Sequence, residues 1–100
     1  MHLVQLLLPV TGSSDTAARV HDALHRELTA RFGGVTAYSR APAHGVWQPE
    51  AAAPEHDDVV LVEVVAETLE AEWWRELRLR LQRELDQESI LIRAIALQML

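Results

Sequence analysis

Four stretches of the chain alternate apolar and polar residues or run apolar throughout, and two others repeat apolar residues every three to four positions. The first pattern predicts strands and the second helices. Residues 2–8 read as a strand ended by Pro9. Thr11-Gly12-Ser13-Ser14-Asp15 reads as a turn in which Ser13 or Ser14 caps a helix and Asp15 suits its positive end. The apolar stripe Ala17, Val20, Leu24, Leu28 and Phe32 carries that helix to about Phe32, where Gly33-Gly34 stops it. Val35 to Arg40 predicts a second strand, and Asp58 to Glu67 a third. Thr68 is the expected cap of a second helix with the stripe Leu69, Trp73, Leu77, Leu81 and Leu85, running to about Gln87. Ser89 to Leu97 predicts the last strand.

The order is therefore β-α-β-β-α-β. Strand–helix–strand crossovers are right-handed in nearly all proteins, and two such units joined by a hairpin give a ferredoxin-like α+β fold. The expectation is one domain over residues 1–100, with four antiparallel strands, both helices on one face, and the first and third strands in the centre.

Strand side chains alternate between faces. One set, Val4, Leu6, Leu8, Val60, Val62, Val64, Ile90, Ile92, Ala94 and Ala96, is wholly apolar and belongs under the helices. The other set keeps one polar residue near the middle of each strand: Gln5, Glu63 and Arg93, with Tyr38, Arg40 and Thr36 joining from the second strand. The rest of that face is Leu3, Leu7, Leu61, Val65, Leu91, Ile95 and Leu97. A sheet face open to water should be mostly polar. An apolar patch on this scale marks an interaction surface. It predicts a cover: a second subunit, a ligand, or the stretch Ala41 to Asp57. That stretch, with Pro42, Gly45, Pro49, Pro54 and several alanines, reads as a long mobile loop anchored at Trp47.

Composition narrows the chemistry. The chain has 100 residues, no cysteine, and nine basic residues that are all arginine. Disulfides, thiolate metal sites and cysteine nucleophiles are excluded, and so are Schiff-base lysines and a P-loop. The net charge of −6 repels phosphate backbones, so no nucleic-acid partner is expected. No apolar run approaches the ~20 residues that span a bilayer, and the short apolar start lacks a basic flank and a cleavage site. The expected location is cytoplasmic.

His21 and His25 stand four apart on the first helix, but zinc needs three or four ligands and no third is evident, so no metal site is expected. Thr11 to Ser14 lies where an anion could sit, although capping explains it. No cofactor motif is present. The candidate ligand site is the open-face group Gln5, Tyr38, Arg40, Glu63 and Arg93, with His44 and Trp47 folded over it from the loop. There Glu63 would act as a base, His44 as a proton shuttle, and the arginines as holders of a carboxylate or enolate. The competing reading makes these residues a polar ribbon inside a homodimer interface, with Arg93 paired to Glu63.

The segments Arg31-Phe32-Gly33-Gly34-Val35-Thr36, Gly45-Val46-Trp47 and Gln87-Glu88-Ser89-Ile90-Leu91 resemble a family of small bacterial proteins of unknown function with an R-F-G-x-x-T, G-x-W and Q-E-S-V/I pattern. Ala41 to His44 departs from it as an insertion before Gly45. The resemblance implies no catalytic residues. The topology is also similar to that of dimeric α/β-barrel proteins, small monooxygenases and muconolactone-type isomerases among them. Those pair two open sheets and place sites between sheet and helices. Two expectations follow: a homodimer closed through the open face, or a small enzyme or binding protein for an organic acid or aromatic compound.

Overall fold

The computed structural model describes residues 1–9, 15–47 and 55–100, and side chains throughout these except at 39–47 and 55–58. Six elements follow the expected order: β1 (His2–Pro9), α1 (Asp15–Phe32), β2 (Thr36–Trp47), β3 (Glu55–Ala66), α2 (Ala71–Glu84) and β4 (Leu91–Ala96). All strand pairs are antiparallel, and the sheet order is β2-β3-β1-β4. The first and third strands are central, and the fold is the ferredoxin-like split βαβ sandwich with both helices on one face.

The alternation places the core. Val4, Leu6 and Leu8 of β1 and Val60, Val62 and Val64 of β3 are buried against Leu24 and Leu28 of α1 and Trp74, Leu77 and Leu81 of α2. Each such side chain contributes about 1.5–3 kcal/mol through apolar burial. Gly33 ends α1 at φ +85°, in the left-handed region, and its amide donates to the Thr29 carbonyl at 2.9 Å.

The second helix ends at Glu84 rather than about Gln87, and it differs from expectation in two further ways. Its N-cap is Glu70 rather than Thr68, and no side chain caps it. The Glu70 carboxylate pairs instead with Arg31 at the end of α1. The buried tryptophan is also Trp74, not Trp73. Trp74, Leu77 and Leu81 turn toward the sheet, and Trp73 packs at the margin. Phe32 stacks on Trp74 with ring centroids 5.2 Å apart and meets Trp73 edge-on, while the Arg31 guanidinium lies 4.3 Å from the Trp73 centroid.

The larger correction concerns Ala41 to Asp57. Ala41–Trp47 continues β2, and Glu55–Asp57 begins β3, so most of the expected loop is strand, paired from Ala43 onward. Residues 48–54 lie outside the described residues, as does the expected Thr11–Ser14 turn with its Ser13 or Ser14 cap. Pro42 misled the sequence reading because it has no N–H for a ladder. β2 is an edge strand, where proline is tolerated, and the pairing register shifts between Tyr38 and Ala43 around it. β1 pairs with β3 only from Val59 onward, so His44–Trp47 and Glu55–Asp58 form a two-stranded extension beyond the pairing with β1.

β4 is the opposite edge. Ile90, just before it, is buried, and Ile92 packs against the core. Ala94 and Ala96 were expected beneath the helices but are exposed, Ala94 beside a gap between α2 and this strand.

Candidate functional site

The register assembles the open face in rows. Gln5 stands opposite Glu63 on one side and Arg93 on the other, and Thr36 stands opposite Glu63. This polar row crosses all four strands. One apolar row beside it contains Leu61, Leu7 and Leu91, and the other contains Val65, Leu3 and Ile95.

The polar row is closed by hydrogen bonds. Arg93 Nε donates to Gln5 Oε1 at 2.7 Å, and Gln5 Nε2 donates to Glu63 Oε2 at 2.8 Å. Tyr38 OH donates to Glu63 Oε1 at 2.9 Å. Gln5 thus links Arg93 to Glu63, which were expected to pair directly. Both oxygens of Glu63 accept a bond, so the expected general base is held as an acceptor inside a chain of donors. The hydrogen bond to Glu63, and then its charge, raise the Tyr38 phenol above its ordinary value, because ionisation would put two negative groups side by side.

Four of the seven candidate ligand residues, Gln5, Tyr38, Glu63 and Arg93, therefore come together. The side chains of Arg40, His44 and Trp47 lie outside the described residues. Their backbone belongs to β2, where His44 pairs with Asp58 and Trp47 with Glu55. His44 and Trp47, expected on a loop over the face, thus stand on a strand paired with β3.

The apolar candidates stay accessible. Val65 is 41%, Leu91 49% and Ile95 50% exposed, while Leu3, Leu7, Leu61 and Leu97 are half-buried by their neighbours. Large side chains at such exposure on one continuous face are uncommon in a monomer.

On the helix layer, His21 and His25 both keep an Nε2 that is buried without a partner among the described residues. Burial, and then repulsion from His25, lower the His21 pKa, opposed by a backbone hydrogen bond at Pro9 and by Asp22. No third histidine, aspartate or glutamate joins them in a metal-holding group among the described residues. A hollow of about 360 Å³ runs outside α1 and α2, where Arg80 is paired with Glu27 of the lining and with Glu84. A second hollow of about 230 Å³ lies between α2 and β4 and contains Trp74, Arg75 and Arg78. Arg75 and Arg78 do not stand out in the sequence, because charged residues off the apolar stripe of a helix ordinarily face solvent. The available signal was the position of Arg78, four residues after the buried Trp74 and three before the buried Leu81. No helix among the described residues is long and apolar enough to cross a membrane.

No family model matches the chain, and no curated protein matches it. Solved structures do. A mutant of CutA1 from Pyrococcus horikoshii OT3 is similar at a TM-score of 0.59 and 20% identity, covering 100% of this chain and 86% of that one. The periplasmic divalent cation tolerance protein CutA from Archaeoglobus fulgidus is similar at a TM-score of 0.59 and 18% identity, covering 99% and 86%. A phage SAM lyase, solved with S-methyl-5'-thioadenosine, is similar at a TM-score of 0.58 and 15% identity, covering 94% and 79%. At these identities the likeness is one of fold.

Proposed function

We propose that this protein, which shares its fold with the CutA proteins, works as a cytoplasmic homodimer whose subunits meet through the open sheet face. The observation that carries this reading is the layout of that face: a self-paired polar row between two accessible apolar rows, including Val65, Leu91 and Ile95. Exposed apolar surface of this kind is stabilised by a partner. An isologous contact is the commonest way for one surface to cover itself. The polar row is compatible with burial, since its members satisfy one another and a buried unpaired group would be costly.

The alternative, a site for an organic acid or aromatic compound on the same face, is less well supported. Such a site needs free polar groups in a concavity. Here Glu63 is occupied by Gln5 and Tyr38, and the described hollows lie on the helix side. Among the described residues no cluster of donors is present for the divalent cation of the CutA name.

The test is Ile95→Glu. Ile95 is half exposed in the isolated chain, so a charge there leaves the monomer fold intact but is costly inside a dry contact. Analytical ultracentrifugation should show wild type at twice the chain mass and the variant at the single mass, with unchanged circular dichroism. Equal masses for the two proteins contradict the reading.

A further inference from the structure

On the other side of the sheet, the hollow of about 230 Å³ between α2 and β4 has the makings of a second site. Its apolar walls are Val4, Leu69, Ile92, Ala94 and the ring of Trp74. Trp74 is fixed there by stacking on Phe32 and by an edge contact with Trp73. One charged side chain set into this apolar lining is Arg78. It is half-buried, has no ion pair among the described residues, and its Nε is sealed from solvent with no acceptor there. The Trp74 Nε1 is likewise buried without an acceptor among the described residues. A buried donor without a partner is destabilising, and the large majority in proteins are satisfied.

Nearby charge has the same sign. Arg75 also lines the hollow, and its contact with Glu72 is a loose 3.8 Å. Arg93 belongs to the strand wall, with its Nε committed to Gln5 on the opposite face. The charged residues lining the hollow are thus all arginines, in a chain of net charge −6.

We propose that this hollow binds a small monocarboxylate with a compact apolar body, held by Arg78. Guanidinium is always charged, and its Nε–Nη edge matches the two oxygens of a carboxylate. A modest turn of the terminal torsion presents that edge to the hollow and gives Nε its acceptor. The walls fix the rest of the ligand. An apolar cavity of ~150 Å³ holds benzene, so this hollow takes a single ring or a short branched chain together with its carboxylate. A dianionic phosphate would leave oxygens facing Val4, Leu69 and Ile92 unpaired, which disfavours it.

The site and the proposed dimer contact lie on opposite faces, so each can fail without the other. The probe is sodium benzoate, titrated into the ¹⁵N-labelled full chain and followed by NMR at the Trp74 indole N–H and the Arg78 Nε–H. The expected result is a saturable shift of both signals, with benzamide binding at least tenfold more weakly. Arg78→Gln should weaken benzoate about tenfold. Ala94→Leu keeps Arg78 and fills the hollow from β4, where Ala94 stands opposite the buried Val4, and it should abolish the shift. Four results overturn the proposal: no movement of either signal, equal binding of benzamide, inorganic phosphate binding as tightly as benzoate, or undiminished benzoate binding in whichever of the two variants is folded.

Discussion

Glu63 shows how one residue's neighbours decide its role. A glutamate on an otherwise apolar strand invites a catalytic reading, but its two acceptors are engaged by Gln5 and Tyr38. The phenol reports this arrangement. Tyr38 should titrate above the ordinary 10.0 in the wild type and move back toward it in Glu63→Gln, read by ultraviolet absorbance. An unchanged titration would mean that the bond is not formed in solution. His21 offers a second test. Burial, followed by the neighbouring His25, lowers its pKa below the ordinary 6.5, so the unfolded chain binds a proton more readily than the native one. Stability therefore falls as pH drops through about 6.5 and levels off below the depressed native value. Urea unfolding at pH 7.5 and pH 5 should show this loss, and His21→Gln should shrink it. The hydrogen-bond partners were not legible in the sequence. Alternation placed Gln5, Glu63 and Arg93 on one face, but whether Arg93 reaches Glu63 directly or through Gln5 depends on register, which a sequence of this kind does not specify.

Elements built on strong periodicity were legible nearly to the residue. The stripe of α1 and the continuous Val and Leu runs of β1 and β3 left little choice of face, and a one-residue slip would have turned an apolar set outward. β2 was half legible. Thr36 to Arg40 has strand propensity, while Ala41 to Trp47 carries a proline and a glycine that argue against a strand. Pairing with β3, a tertiary fact, overrides that propensity. The stripe of the second helix was legible at Leu77, Leu81 and Leu85, but the adjacent tryptophans left its first turn ambiguous, and the helix is shorter at both ends than the stretch from Thr68 to about Gln87. Packing and surface contacts between elements should separate clearly in stability. Leu28→Ala removes a side chain with 0% exposure and should cost about 2–5 kcal/mol in chemical denaturation. Glu27→Ala removes the partner of Arg80 one position away, where the two side chains are partly exposed, and should cost less than about 1 kcal/mol. Similar values for the two would mean that α1 is not seated on the sheet as described.

At the scale of the molecule, one sheet has two apolar faces and, among the described residues, one helix layer. The helices cover Val4, Leu6 and Leu8, while Leu3, Leu7, Val65, Leu91 and Ile95 are left to something else. The strand pattern made that need visible without any coordinates, since the open-face set contains so few polar residues. The structure adds that those polar residues already satisfy one another, which favours a dry contact over a reactive cleft. The most direct test of this account is the mass of the protein in solution, by light scattering coupled to size exclusion at tens of micromolar. The account predicts about twice the 11.2 kDa chain mass. A stable species at the single chain mass, with the native fold, would contradict it.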